Sequence, residues 1–147
     1  MDVILRPATP SDLPLILRGE RHYMVEIEPE HLDAWLAAID RNLKTWIDNL
    51  DRTRIAIRDG APVGYAMWEI TDGVATLVTI YALPEHRGAG IGTRLLAAFI
   101  DEASADGATR LELGVHVDNG ARVLYERAGF EHVGRDADYL LYSLRPK

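Results

Sequence analysis

The chain has 147 residues, enough for one domain that buries about two-thirds of the surface its unfolded form exposes. At 48% hydrophobic and 27% charged residues its composition is globular, which excludes disordered, collagen-like and low-complexity classes. Zero cysteines remove disulfides, thiolate zinc sites, iron–sulfur clusters and a cysteine nucleophile, and 16 Lys and Arg against 23 Asp and Glu speak against a nucleic-acid-binding face.

The start, Met1-Asp2-Val3-Ile4-Leu5, has an acid and no basic region ahead of its apolar run, so it does not read as a signal peptide. No stretch approaches the roughly 18 apolar residues of a membrane helix, and the expectation is a soluble, cytoplasmic protein. Val3 to Leu5 is a short β-rich run closed by Pro7. Thr9-Pro10-Ser11-Asp12 then supplies helix-capping groups, and Leu13, Ile16 and Leu17 give the first helix its apolar stripe, which fades between Glu26 and Pro29. From His31 to Leu50, apolar residues recur every three or four positions, predicting one long amphipathic helix whose Trp35 and Trp46 belong to the core or to a dimer face.

The period then changes to two. Arg54 to Arg58, Val63 to Ile70 and Val74 to Tyr81 are β-rich runs separated by Asp59-Gly60 and Asp72-Gly73, turns short enough to force an antiparallel meander. A glycine-rich loop, His86 to Gly92, opens a helix that ends at Gly107. Arg110 to Val117 reads as a strand, Asn119 to Ala128 as a short helix, and Phe130 to Gly134 with Tyr139 to Leu144 as a final strand pair. No repeat or linker divides the chain, so residues 1–147 form a single domain.

The loop Arg87-Gly88-Ala89-Gly90-Ile91-Gly92 keeps side chains away from a helix N-terminus, so its backbone N–H groups can converge on an anion such as a pyrophosphate. A tight connection that binds nothing is the alternative. A P-loop is excluded because no lysine lies here, and a dinucleotide fingerprint fails because Thr93 takes the place of its third glycine. Glu112, near the spacing of a ribose-binding acid, is more simply a residue on a polar strand face.

Arg87-x-x-Gly90-x-Gly92 fits the pyrophosphate-binding R/Q-x-x-G-x-G/A motif of the GNAT superfamily of N-acetyltransferases. Ala121, Tyr125, Gly129 and Phe130 fit that family's N-x-x-A-x-x-x-Y-x-x-x-G-F pattern, with Asp118 at the asparagine's place and Asn119 one residue late. The chain thus resembles that superfamily, specifically from about Val74 to Phe130 and in element order throughout. The resemblance implies an α/β fold: a mixed, mostly antiparallel sheet that splays into a V between Val74–Ala82 and Arg110–Val117, with helices on both faces. It implies acetyl-CoA as cosubstrate, no metal, a pantetheine arm bonded to backbone at Ile80, Tyr81 and Ala82, and a pyrophosphate held by Arg87, Gly88, Ala89, Gly90, Ile91, Gly92 and Thr93. Asn119 would contact CoA while capping its helix, and dimers are common in the family.

Acetyl transfer to an amine needs a deprotonated nucleophile, stabilisation of developing negative charge and a proton for the thiolate. The resemblance implies that a backbone N–H near Tyr81, matching the family's β-bulge amide, serves the second need, and that Tyr125, matching the tyrosine of the family pattern, serves the third as general acid. An amine with a pKa near 10 is only about one part in a thousand neutral at pH 7, leaving roughly 4 kcal/mol for a base or a desolvating site to recover. The strand before the loop contains no acid, so Glu69 on the neighbouring strand is the first candidate base and His116 the second. His22, Tyr23, Glu26, Glu28 and Glu30 cluster between the first two helices. Tyr23 and Glu26 are the expected acceptor contacts, and an acidic rim favours a cationic amine; a solvated charged loop is the alternative. The expected activity is acetyl transfer to a primary amine of a small molecule or peptide. The competing readings are an acyl-CoA-binding sensor without catalysis and a nucleotide-binding module.

Overall fold

The computed structural model describes residues 2–146. Its strands are β1 (Val3–Pro7), β2 (Thr53–Arg58), β3 (Ala61–Thr71), β4 (Val74–Ala82), β5 (Arg110–His116), β6 (Glu131–Asp136) and β7 (Tyr139–Leu144). The helices are α1 (Leu13–Ile27), α2 (Leu32–Ala37), α3 (Ile39–Asp48), α4 (Ile91–Ala105) and α5 (Arg122–Arg127). All seven strands form one sheet in the order β1-β2-β3-β4-β5-β7-β6.

The meander β2-β3-β4 turns at Asp59-Gly60 and Asp72-Gly73, whose φ values of 52°, 78°, 53° and 78° are those of tight hairpin turns. Only β4 and β5 run parallel, and they pair at Val74–Arg110, Ala75–Leu111 and Thr76–Glu112 before parting. That opening is the V that the resemblance implies. Parting leaves one edge of β4 beyond Thr76 without a ladder partner, a liability that natural sheets tolerate where a ligand uses the edge.

Helices cover both faces. Leu15 and Ile16 of α1 and Trp46 of α3 pack on Ile55, Tyr65, Met67 and Tyr81. On the opposite face Ile91 and Leu95 of α4 meet Val3, Ala56, Val63 and Ala66, and Leu96 and Phe99 meet Trp68, Ala75 and Leu77. The alternation expected of a strand explains β3, where Tyr65 and Met67 face α1 and Ala66 and Trp68 face α4. In β4 the alternation slips. Thr79 pairs with Met67 but Leu77 pairs with Trp68, so Val78 is an inserted residue and β4 bulges there. Ala75 and Leu77 therefore face α4, whereas Thr79 reaches α1 through its hydroxyl and Tyr81 packs in the α1 core. The bulge lies at Val78 and not beside Tyr81, which keeps a regular pairing with Tyr65.

The helix expected from His31 to Leu50 is broken at Ala38 (φ −101°, ψ 14°), giving α2 and α3. Trp46 is core, 3% exposed, and the Trp35 ring lies 6.4 Å from it, whereas Leu36 and Ile47 of the same stripe are exposed. Among the described residues no helix is long and apolar enough to cross a membrane.

Candidate active site

Gly88 and Gly90 have φ of 82° and 80°, a region that a side chain disfavours, and Gly90 occupies the N-cap position of α4. A Cβ placed on either would meet no atom within 4 Å, so their outer side is an open cradle. The first N–H groups of any helix lack intrahelical partners, so those of Ile91, Gly92 and Thr93 point into that cradle together with the positive end of the helix dipole. Gly92 is where α5 comes close, since a Cβ there would lie 3.3 Å from Leu124. A recess of about 640 Å³ runs over Gly88, Gly90, Gly92 and Thr93 toward Gly120 and Arg127.

A second cavity of about 430 Å³ continues inward between Ile80, Tyr81 and Ala82 on one side and Asn119, Gly120 and Ala121 on the other, which is the gap left by the parting strands. Arg87, expected to add charge beside the loop, lines both the recess over the loop and this inner gap. Its Nη1 lies 3.0 Å from Glu26 Oε1, its Nε donates to the Ala82 carbonyl at 3.2 Å, and its guanidinium lies 5.5 Å from the Tyr81 ring centre. A carboxylate, a carbonyl and an aromatic face together hold the guanidinium in this position. Asn119 accepts the Ala121 N–H through Oδ1 at 2.9 Å, tightening the turn before α5 without being its N-cap.

The gap opens into a third cavity of about 160 Å³, lined among others by Glu20, Tyr23, Glu28, Val78, Thr79, His116, Asn119, Tyr125 and Tyr139. Glu20 projects from α1, where Oε2 accepts the Tyr65 hydroxyl at 2.7 Å and the Thr79 hydroxyl at 2.9 Å and Oε1 is left without a partner among the described residues. Burial pushes the Glu20 carboxyl up to about 7; the two hydroxyls pull it down and the nearby Glu28 charge adds to the rise. Tyr65 reaches Glu20 only because residue 19 is glycine: a Cβ there would lie 2.8 Å from the Tyr65 ring. Glu28 is 4% exposed and takes hydroxyl protons from two sides, from Tyr23 at 2.5 Å and from Tyr139 in a shorter contact.

Tyr125 is 5% exposed, burial pushes its phenol well up, and its hydroxyl makes no hydrogen bond to another described residue. Without a partner among the described residues, this hydroxyl is available to an occupant of the cavity. His116 also faces the cavity, 2% exposed. Its Nδ1 accepts the Asp118 N–H at 3.1 Å, so Nε2 carries the proton and donates to Glu30 Oε1 at 3.0 Å. The imidazole is thus held as a donor, with no lone pair offered to an acceptor ammonium. Donor atoms of Glu30, His31, His116 and Asp138 fall within 4.8 Å of one another, the spacing of a metal-ligand set, but the His116 lone pair needed for ligation is turned onto Asp118.

Glu69 does not reach this site. It pairs with Thr76 at the closed end of the V, is exposed, and lines none of the three cavities. Glu112 is an exposed-face residue bound to Arg110 at 2.7 Å. Tyr23 lines both inner cavities, and Glu26 lines the middle one while holding Arg87. Sequence reasoning missed Glu20, Thr79 and Tyr139. The available signal for Glu20 was its position four residues after the fully buried Ile16, an acid inside the apolar stripe of α1.

The profile of the Acetyltransferase (GNAT) family matches residues 17–130, most of the chain. The chain belongs to this family of acyl-CoA-dependent N-acetyltransferases, which acetylate amines. It is 32% identical over 121 residues to the [ribosomal protein bS18]-alanine N-acetyltransferase of Haemophilus influenzae, covering 82% of this chain and 80% of that protein. To an L-amino acid N-acyltransferase of Escherichia coli it is 33% identical over 82 residues, 52% of this chain and 48% of that one. The crystal structure of the PaiA N-acetyltransferase from Thermoplasma acidophilum in complex with coenzyme A superposes with a TM-score of 0.83 at 19% identity over 99% of both chains.

Proposed function

We propose that the protein transfers an acetyl group from acetyl-CoA directly to a primary amine of a small molecule or peptide, with Glu20 as general base and Tyr125 as general acid. The observation that carries this reading is the convergence of a carboxyl held near 7 and an unpartnered buried phenol on one cavity that continues from the glycine loop. The residues fit a CoA thioester: the cradle over Gly88 and Gly90 is open to a pyrophosphate, and Tyr125 offers a free hydroxyl. Bound acetyl-CoA would supply the activated acyl carbon.

The chain's own groups do the rest. The N–H groups of Ile91, Gly92 and Thr93 bind the diphosphate, and Asn119 borders the gap on the side opposite Ile80 to Ala82. The bulge at Val78 turns a backbone amide out of the ladder at the inner end of the gap, available as a donor where negative charge develops. Glu20 Oε1 takes the ammonium proton. With a carboxyl near 7 the base is matched to the operating pH, a condition general-base catalysis favours. Tyr125 gives its proton to the departing thiolate.

The relatives named above act on a ribosomal-protein alanine and on L-amino acids, two classes of amine that differ in whether a free carboxylate accompanies the nitrogen. Calorimetry with acetyl-CoA, CoA and NAD, followed by thiol release across an amine panel, tests the reading. Binding of acetyl-CoA and CoA but not NAD, with thiol released by amines, is the expected result. Preference for NAD would point to a nucleotide-binding module, and tight acetyl-CoA binding with no thiol released by any amine would mark a sensor.

A further inference from the structure

The hydrogen-bond donors of the innermost cavity are nearly all committed to carboxylates. A phenol or hydroxyl has a single proton to give. Tyr23 and Tyr139 give theirs to Glu28, Tyr65 and Thr79 give theirs to Glu20, and His116 Nε2–H faces Glu30. Among the described residues no lysine or arginine lines the cavity, and Arg87, the one guanidinium among them on the adjoining cavity, is held by Glu26 at 3.0 Å. Apart from backbone N–H groups on the β4 edge, what its side chains mainly offer an occupant is lone pairs and negative charge. The side-chain donor left over is the Tyr125 hydroxyl; the Asn119 side chain is engaged by Tyr23 and by the Ala121 N–H.

Such a lining complements an ammonium, which brings three donors and a positive charge, and opposes a carboxylate, which brings neither. We propose that this cavity selects primary amines with no carboxylate beside the nitrogen, and discriminates against free α-amino acids. The inference rests on the acetyltransferase reading above and adds the acceptor's chemical class. Two sources carry that chemistry, simple alkylamines and amines whose neighbouring carboxyl is tied up as an amide. The specificity is by exclusion: the site holds charges of the wrong sign for a carboxylate and has no group to neutralise it. The small volume, about 160 Å³, keeps the repelled groups close to Glu20 and Glu28.

The test uses the full chain, acetyl-CoA and acceptors matched in everything but the acid: L-leucinamide against L-leucine, and pentylamine against L-norleucine, which is pentylamine with a carboxylate beside the nitrogen, with kcat/KM read from thiol release. The amide and the alkylamine should exceed their acid partners by about 100-fold, the scale of one unneutralised charge facing a like charge in a restricted site. Glu28→Gln should narrow that gap about tenfold by removing a negative charge from the wall. Turnover of pentylamine alone, or of leucinamide alone, would support the inference and identify the source. A free amino acid used as well as its amide would overturn the inference while leaving the transferase reading intact. Acetyl-CoA binding with no turnover of any acceptor would sink the transferase reading itself, and this one with it.

Discussion

Glu20→Gln keeps the size of the side chain and an oxygen that can still accept from Tyr65 and Thr79, but removes the charge and the proton-accepting carboxylate. Two independent measurements follow. In turnover, loss of a general base costs about 10²–10⁴-fold; wild-type kcat/KM should rise through an apparent pKa of about 7 as Glu20 ionises, and the variant should lose that limb. In stability the sign is opposite. The carboxyl rises from its ordinary 4.5 to about 7 on folding, so below 4.5 both states hold the proton and nothing is lost. Between those values the unfolded chain releases the proton while the folded chain keeps it, and native stability falls by about 1.4 kcal/mol per pH unit. Above pH 7 the cost levels off at roughly 2–3 kcal/mol, allowing for the partly exposed position of the side chain. The variant escapes this cost, so its Tm should exceed wild type by about 5–10 °C at pH 8 and match it near pH 4. Scanning calorimetry at the two pH values reads the gap, and thiol release from pH 6 to 9 reads the limb. Undiminished turnover would refute the base assignment; a Tm gap equal at both pH values would refute the titration.

Three further substitutions separate binding, chemistry and packing. Tyr125→Phe should lower kcat by about 10²-fold with little change in acetyl-CoA affinity, because its hydroxyl has no partner among the described residues; unchanged turnover in steady-state assays would make Tyr125 a packing residue only. Gly90→Asp should abolish CoA binding in calorimetry, since it forces a side chain into φ of 80° and places a negative charge in the cradle, and an unaltered Kd would count against the loop as the diphosphate site. Gly19→Ala should lower stability by about 1–3 kcal/mol by pushing the Tyr65 ring off α1, checked by urea denaturation.

Sheet, meander and loop were legible because each has a local signature: period-two runs, Asp-Gly turns, glycines at alternate positions before an apolar helix. The break at Ala38 had none, since alanine is the residue most at home in a helix. The proposed base was out of reach for a different reason. Glu20 meets Thr79 across 59 residues of sequence, and Arg87 meets Glu26 across 61, so neither contact leaves a periodic trace. Glu69 looked suitable because β3 neighbours β4, yet neighbouring strands share a site only at matching register, and Glu69 sits opposite Thr76, where the sheet is still closed. The donor tautomer of His116 depends on a backbone N–H two residues on, a detail of the turn after β5 that alternation alone does not resolve.

One extra residue at Val78 gives β4 a phase slip, and with it two separate jurisdictions. Upstream, Ala75 and Leu77 answer to the packing demands of α4, where any change in volume is felt by Phe99 and Leu96. Downstream, Thr79 and Tyr81 are handed to α1, where they answer to Glu20 and His22. Mutational tolerance along this strand should therefore change character at residue 78, from steric on one side to electrostatic on the other. Excising that residue would exchange the two sets, sending a hydroxyl into the hydrocarbon interior and withdrawing it from the carboxylate it now steadies.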